Sequence, residues 1–421
     1  MYLRRYDMKK VMYVFVVLIL ASNFLFAQGT EEKKISNQGP VELTFWSLFT
    51  GGDGEFFNAI VEGFNSSQSN FVMKNDMVKF DNYYTKLTTA LAAKNAPDLV
   101  IIHQGNLLNY VSNNSLLPLN DYFDAQTLAD FQEKPLASCM FDDQLYSIPL
   151  DVHPLVMYYN KDILASAGIQ SVPKTGAEMA LALKQIKEKT EKWGLLIDEP
   201  YELPRMFISL VAQQGGSILN EKLDAANVNN QTGERAMKYL IDLVNNGYNP
   251  KETDYDSAMN IFKLGNAAFY INGVWATGVL EEQEGLNFAA SRIPRFFEQE
   301  ASWAGSHTLA IPTQKTMGPK KVQGAVAFID WATKHGELWA KAGHIPTRKS
   351  VYEKEEFKAL PYRAGYADAA AFALGTPKTP AWDQIYNYIT EACEYAVAKN
   401  QSPAEAVAKM DEKINEILKS Y

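Results

Sequence analysis

The sequence has few of the residues that most catalytic and metal-binding motifs require. Of its 421 residues, only two are cysteine and five are histidine. It contains no CxxC pair, no HExxH or other short metal-ligand spacing, no GxSxG elbow, no P-loop and no GxGxxG turn. These absences argue against zinc hydrolases, serine hydrolases and nucleotide-dependent enzymes. We therefore predict no catalytic residue, no cofactor and no metal.

Cysteine usage and charge restrict the compartment and the partners. Cys139 and Cys393 leave two alternatives open, either one disulfide, which an exported protein permits, or two buried free thiols. The formal net charge of −9 argues against nucleic acid or an anionic membrane surface as the main partner. The 21% of charged residues is not the composition of a disordered chain.

The N-terminal segment is typical of an export signal. Basic residues precede the apolar run VMYVFVVLILA, which is shorter than the roughly 20 residues that span a bilayer. We predict a signal peptide over residues 1–27, with Met8 as an alternative start and a membrane anchor as an alternative function. No cysteine near the cleavage site offers a lipid attachment point, so a periplasmic protein is expected. Residues 28–40 are polar and predict a flexible leader.

Strand and helix patterns alternate along the rest of the chain. VELTFWSLF, FVMKNDMV and DLVII predict strands, and the segments between them predict helices. This order is typical of an α/β fold with parallel strands covered on both faces. Asp53, in the glycine-rich GGDG segment, is interpreted as a cap for the first helix rather than as part of a phosphate loop.

Helix-start signals continue the pattern towards the C-terminus. Thr175 and Glu178 form a capping-box signature, Gly247 ends a later amphipathic helix, and Ser402 precedes a helix that begins with Pro403. The chain is too long for one comfortable sheet of this type. Two α/β lobes are therefore predicted.

Aromatic and polar residues recur where predicted strands end, which is where ligands of open α/β sheets bind. A sugar offers an apolar face to an aromatic ring and hydroxyl groups at its edge. A lone tryptophan is nevertheless more often a core residue than a ligand platform, and histidines are more often structural. The candidates are Trp46, His103, Gln104, Asp151, His153, Gly273, Trp275, Trp303, Gly305 and Trp382.

The order of several segments resembles the extracellular solute-binding proteins of ABC importers, in the family that includes maltose-binding protein. These segments include VELTFWSLFTG, YYTKLTTALAAKNAPDLVI, YSIPLDVHPLVMYYNKDIL, FKLGNAAFYINGVWATG, WAGSHTLAIP and GHIPTRKS. The resemblance implies the two-lobed type II periplasmic-binding-protein fold, with discontinuous lobes joined by crossing segments. It implies one lobe over 41–158 and 305–336 and another over 162–303 and 340–421.

The resemblance also implies individual ligand-binding residues. Trp275, in an INGxW motif, would stack on sugar, Glu199 and Tyr201 come from an EPY segment, and Trp382 would cover another sugar face. Tyr83 and His344 lie in resembling segments and are added as candidates. Where the maltose binder has a tryptophan and an Asp-Arg pair, this chain has His103 and Leu107, so maltose itself is not the expected ligand.

These features together predict an exported, monomeric binding protein that delivers a carbohydrate to the transmembrane subunits of an ABC importer. The alternatives are the same fold with another solute, namely glycerol-3-phosphate or a related phosphodiester, a polyamine or a peptide. A phosphate would need an arginine, for which Arg348 is the nearest candidate. A secreted carbohydrate-active enzyme is the remaining alternative.

Overall fold

A computed structural model of the chain describes residues 39–421 except 51 and 316. The export signal predicted for 1–27, and nearly all of the leader predicted for 28–40, lie outside the described residues. Within the described range, no helix has both the length and the apolar character needed to cross a membrane.

Strands and helices alternate along the chain, as the sequence patterns predict. The strands are β1 (Val41–Ser47), β2 (Phe71–Met77), β3 (Leu99–His103), β4 (Met140–Phe141), β5 (Gln144–Leu145), β6 (Ile148–Pro149), β7 (Asp151–Asn160), β8 (Trp193–Leu196), β9 (Ala267–Gly273), β10 (Phe288–Arg292), β11 (Ser302–Gly305), β12 (His307–Ala310), β13 (Ile345–Pro346) and β14 (Ala373–Leu374). The helices are α1 (Gly54–Ser67), α2 (Phe80–Ala92), α3 (Leu107–Ser112), α4 (Ala125–Ala129), α5 (Glu133–Ser138), α6 (Lys161–Ala167), α7 (Gly176–Lys189), α8 (Glu202–Ala212), α9 (Gln231–Asn245), α10 (Tyr255–Lys263), α11 (Ala276–Glu281), α12 (Pro319–Lys334), α13 (Gly336–Ala340), α14 (Glu355–Lys358), α15 (Trp382–Ala398) and α16 (Pro403–Leu418).

The first sheet has the strand order β2-β1-β3-β12-β6. Strands β1, β2 and β3 are parallel, as predicted, whereas β12 pairs antiparallel with both β3 and β6. The sheet is mixed because β12 enters it from the carboxyl end of β3, where His307 pairs with His103. No helical crossover precedes this strand, so it need not run parallel to its neighbours.

The second sheet is built around the long strand β7. Antiparallel pairing joins β7 to β9, β10, β11 and β13, and β8 runs parallel to β9. Both faces of β7 are buried. Leu155 and Met157 pack into one hydrophobic cluster, and Val156 and Tyr158 into another. This division follows from the alternation of side chains along a strand.

Two separate cores define two lobes. One core surrounds the first sheet, and the core of the second lobe consists of the two clusters that cover the two faces of the second sheet. Within the described residues the chain passes between the cores three times. Each crossing lies between two residues that belong to different cores. These pairs are Leu150 and Leu155, Trp303 and Leu309, and Ala342 and Ile345.

Most predicted helix signals are confirmed, but two caps are not. Thr175 and Glu178 form the reciprocal capping box of α7, and Gly247 follows α9 with a φ of 66°. Ser402 and Asp53 stand at the first cap positions of α16 and α1, but neither side chain hydrogen-bonds its helix among the described residues. Asp53 has αR rather than extended backbone angles, so its carboxylate is not placed for a capping bond.

The two cysteines are free thiols. Cys139 lies in the core of the first lobe and Cys393 in the core of the second, and both are fully buried. Burial raises the pKa of the Cys139 thiol to about 11. The disulfide alternative is therefore wrong, since each cysteine packs as a small apolar side chain in its own core.

Candidate ligand-binding cleft

A cleft of about 690 Å³ lies between the two lobes. The first lobe contributes segments that follow β1 and β2, and the second contributes α8, α10 and the turn after β9. This is the carboxyl edge of the strands, as the sequence predicts for a ligand site. The lining residues are Leu48, Thr50, Gly52, Asp53, Phe80, Tyr201, Arg205, Tyr255, Asp256, Met259, Asn260, Lys263, Trp275 and Val279.

An aromatic and cationic wall forms the second-lobe side of the cleft. The Arg205 guanidinium lies 4.4 Å from the ring centroid of Trp303 and 5.1 Å from that of Trp275. It also lies 5.9 Å from the ring of Tyr201. These are cation–π distances, so the charge of Arg205 holds three rings in place. The wall is therefore held together by contacts within the second lobe.

Gly273 permits the position of the Trp275 ring. A Cβ atom at residue 273 would lie 1.9 Å from Cζ3 of Trp275, closer than any real contact. The absence of a side chain thus lets the indole lie flat against the end of β9. Gly305 does the same for His153, because a Cβ there would lie 2.1 Å from Nε2 of that imidazole.

Two buried carboxylates support this wall from behind. Glu202 accepts a 2.9 Å hydrogen bond from Arg205, and Oδ1 of Asp198 accepts bonds from the amides of Tyr201 and Glu202. Burial raises the pKa of Glu202 to about 8 and that of Asp198 to about 6, with Arg205 opposing both shifts. Asp198 therefore fixes the start of α8, and Glu202 orients the guanidinium.

A cluster of histidines surrounds Asp151 where the chain crosses between the lobes. Nδ1 of His307 lies 2.7 Å from Oδ2 of Asp151, and Nδ1 of His153 lies 2.9 Å from Oδ1. The indole N–H of Trp339 donates a 2.6 Å hydrogen bond to Oδ2. Nδ1 of His344 is 3.2 Å from the same oxygen. The fully buried carboxylate is thus surrounded by nitrogen atoms.

Burial and the interactions within the cluster shift the pKa values of several of its members strongly. Burial alone would raise the pKa of Asp151, but His307, His153 and His344 hold it well below its usual range. Burial and His307 lower the pKa of His153 to about 3. Burial also acts to lower the pKa of His344, but Asp151 and Asp53 outweigh it and raise that pKa to about 9. Asp151 is therefore an anion, and His344 carries a compensating positive charge.

Most of the predicted site residues come together around this crossing region. His153 links the two parts, since its ring centroid lies 5.7 Å from that of Trp275 and 4.3 Å from that of His307. His103 lies 4.6 Å from His307 by the same measure. The predicted residues in this assembly are His103, Asp151, His153, Tyr201, Gly273, Trp275, Trp303, Gly305 and His344.

Three predicted aromatic residues lie away from the cleft. Trp46 faces α2, with the ammonium group of Lys86 3.9 Å from its ring, and lines a separate surface pocket. Tyr83 is fully buried, and its hydroxyl donates to the carbonyl oxygens of Trp46 and Ile101. Trp382 is 7% exposed and packs in the core of the second lobe. Each of them stabilises packing rather than presenting a ring to the cleft.

The polar candidates outside the cleft have structural partners. Glu199 accepts a hydrogen bond from the amide of Glu252. Gln104 donates to Thr376 at 3.4 Å, across the lobe boundary. Arg348, considered for a phosphate, is 2% exposed and pairs with Asp130 and Asp330. These residues stabilise loops and lobe contacts instead of facing the cleft.

The sequence reasoning missed three residues of this region. Asp53 was interpreted as a cap, yet it lines the cleft, with Oδ2 3.9 Å from Nε2 of His344. Arg205 follows Glu202 by three residues on α8, a spacing that places both on one helix face and that could have revealed the pair. His307 lies two residues after Gly305, but only the return of β12 brings it to Asp151.

Residues 59–365 match the family described as bacterial extracellular solute-binding protein, and the chain belongs to that family. Among its relatives, the diacetylchitobiose-binding protein DasA of Streptomyces coelicolor is 27% identical over 398 residues, covering 89% of each chain. A maltotriose-binding protein of Pyrococcus abyssi is 24% identical over 345 residues, covering 79% of this chain and 73% of the relative.

Solved structures confirm the predicted two-lobed type II fold. The GacH receptor of Streptomyces glaucescens, determined unliganded and in complex with acarbose, superposes with a TM-score of 0.82 at 24% identity. The match covers 91% of this chain and 99% of the receptor. The sugar-binding protein MalE of Xanthomonas citri gives a TM-score of 0.78 at 22% identity, covering 90% and 98% of the two chains.

Proposed function

We propose that this protein captures a carbohydrate, either a mono- or an oligosaccharide, in the cleft between its lobes and delivers it to an ABC importer. One observation carries the proposal. Trp275 and Tyr201 present aromatic surface to a cleft whose rim also carries Asp53, Asp256 and Asn260. Rings that stack on C–H faces, beside acceptors and donors for hydroxyl groups, are what a sugar requires.

The same proposal covers export and partners. The signal peptide over 1–27 directs the chain to the periplasm, where it acts as a monomer and docks in its closed form on the importer's transmembrane subunits. Closure then excludes water from the sugar and shifts the population towards the docking state. For the lobes we propose bounds that follow the cores, with the first crossing between Leu150 and Leu155 and the third between Ala342 and Ile345, in place of 158–162 and 336–340.

Isothermal titration calorimetry against a panel of mono- and oligosaccharides tests the ligand. We expect one sugar class to bind with 1:1 stoichiometry. Trp275→Ala is expected to weaken that binding by about 1–3 kcal/mol, the range known for bases stacked on aromatic side chains. Trp46→Ala is the matched control, because Trp46 faces the separate surface pocket, and its affinity should equal that of the unmodified protein.

The outcomes of this titration are distinct. The carbohydrate proposal fails if no sugar in the panel releases heat while another metabolite class binds tightly. Equal losses in Trp275→Ala and Trp46→Ala would place the sugar elsewhere. Incubation with oligosaccharides, followed by thin-layer chromatography, checks that the bound sugar is returned intact, and released products would instead identify a carbohydrate-active enzyme.

A phosphodiester is the second candidate ligand, and Arg205 is the observation that favours it. Its guanidinium lines the cleft, and its Nε has no hydrogen-bond partner among the described residues. Arginine is well suited to phosphate. Glycerol-3-phosphate and its diesters therefore belong in the calorimetry panel. Salt-sensitive binding of these compounds, with no heat from neutral sugars, would select this alternative.

A further inference from the structure

Three histidines and one aspartate form a compact, buried group at the lobe crossings. Asp151, His153, His307 and His344 each offer one ligand atom, and these atoms all lie within 4.8 Å of one another. In a tetrahedral zinc site with bonds of about 2.0–2.2 Å, neighbouring ligand atoms are roughly 3.4 Å apart. Four-coordinate geometry would therefore need shifts of at most about 1.4 Å, with the imidazoles drawn towards one another and slightly away from Asp151. We propose that it binds a divalent transition-metal ion, with Zn²⁺ as the best fit.

The donor set selects this class of metal. Three imidazole nitrogens and one carboxylate oxygen suit Zn²⁺ and its transition-metal neighbours. Ca²⁺ and Mg²⁺ prefer oxygen donors throughout and would leave three nitrogens unused. Asp151 also accepts the indole N–H of Trp339, an outer contact of the kind that fixes a ligating carboxylate. The group thus has both ligands and support.

His344 is the residue that hydrogen bonding leaves unexplained. Asp151 accounts for one nitrogen each of His153 and His307. His344 is only 1% exposed, yet neither of its ring nitrogens has a hydrogen-bond partner of acceptable geometry among the described residues. Buried polar atoms are rarely left unpaired in native proteins. A metal ion bound by one of these nitrogens removes that cost, and it replaces the proton, and the positive charge, that His344 otherwise carries beside Asp151.

A metal ion bound by this group would connect separate segments of the chain. Asp151 and His153 lie on β7, His307 begins β12, and His344 precedes β13. These are the three places where the chain crosses between the lobes. One ion would therefore link all three crossings. Asp53, on the cleft wall, has Oδ2 3.9 Å from Nε2 of His344, so the group lies directly behind the cleft.

Metal binding is measured on the full folded chain without any sugar. After treatment with a chelator, the protein is dialysed against Zn²⁺ alone, and bound metal is quantified by mass spectrometry. We expect one Zn²⁺ per chain. His344→Gln should weaken Zn²⁺ binding by more than about tenfold, since even the loss of an outer-shell partner costs that much. His335→Gln is the matched control, because His335, the one histidine remote from the cluster, stacks on Trp331.

Each outcome decides the proposal. Failure of the folded protein to bind Zn²⁺, or equal binding by His344→Gln and His335→Gln, overturns it and leaves a purely hydrogen-bonded cluster. If His344→Gln does not fold, Co²⁺ titration of the unmodified chain decides instead. Visible absorption typical of tetrahedral Co²⁺ supports the site, and its absence contradicts it. Because no sugar is present, either result leaves the carbohydrate proposal untouched.

Discussion

The carboxylate of Asp198, a buried residue behind the cleft, has two opposite effects on stability. Asp198 holds the first turn of α8 through two backbone amides, yet its second oxygen has no partner among the described residues. The carboxylate is therefore useful as a hydrogen-bond acceptor and costly as a buried anion. An uncharged side chain of the same shape would keep the first property and remove the second.

Asp198→Asn is accordingly expected to stabilise the protein at neutral pH. The pKa of Asp198 is raised to about 6 in the folded protein, against about 3.9 when unfolded. The contribution of this carboxyl group to the free energy of unfolding is fully present below its pKa in the unfolded chain. It is lost as pH rises through its pKa in the folded protein. The stability gain of Asp198→Asn should therefore grow between about pH 4 and pH 6, to at most about 3 kcal/mol.

Urea unfolding at several pH values measures this gain. Asp254→Asn provides a control of opposite sign, because Asp254 caps α10 from an exposed position. Its hydrogen bonds to Ser257 lower the pKa of Asp254. The contribution of the Asp254 carboxylate to the free energy of unfolding is present above the unfolded pKa and is lost as pH falls. Asp254→Asn should therefore be less stable than the unmodified protein at neutral pH. The same pH dependence in both variants would contradict the argument.

At the scale of elements, local patterns predict the strands and helices well. β1, β2, β3, α2 and α7 all lie where the alternation, helical periodicity or cap signals indicate. Side-chain bonds at helix starts are less predictable. Thr175 and Ser402 are both good capping residues by type, but only the Thr175 hydroxyl accepts a hydrogen bond from its helix among the described residues.

This difference predicts unequal effects of two alanine substitutions. Thr175→Ala removes a hydrogen bond to the amide of Glu178 and breaks the capping box, at a cost of about 1 kcal/mol in the free energy of unfolding. Ser402→Ala removes no such bond and should leave stability nearly unchanged. Urea denaturation of the two variants checks the prediction. Equal losses would mean that the hydrogen bond of the Thr175 hydroxyl does not account for the cost.

At the scale of the whole molecule, side-chain hydrogen bonds join the two lobes. Oδ2 of Asp383, at the start of α15 in the second lobe, accepts a 2.8 Å bond from Asn106 and a 3.3 Å bond from Asn109 in the first. Burial raises the pKa of Asp383. These contacts exist only when the lobes are close together. They therefore favour the closed arrangement.

Asp383→Ala should shift the population towards an open arrangement. Hydrogen bonds to a charged group contribute about 1.5–3 kcal/mol, so the apparent ligand affinity should fall roughly tenfold or more. Small-angle X-ray scattering of the ligand-free protein should give a larger radius of gyration. Asp242→Ala, which breaks a pair with Lys238 inside α9, is the control. A radius equal to that of the control would argue against this interlobe role.

The sequence by itself determined the alternation of strands and helices, the two-lobe organisation and the supply of aromatic residues. These follow from short-range periodicity and from chain length, which are properties of neighbouring residues. The resemblance to solute-binding proteins rests on the order of such segments. The order of segments does not determine which tryptophan faces the cleft, because Trp46 lies near the end of β1 and Trp275 just after β9, and only packing separates them.

Only the tertiary structure decided how the crossing region is built. Asp151, His153, His307 and His344 are separated by up to 193 positions in the sequence, so no motif spacing reveals them, and the sequence predicted no metal there. Three crossing segments bring their ligand atoms within 4.8 Å of one another. The side chains of such a cluster are placed by strand pairing and lobe packing, which act between distant residues and have no local signature.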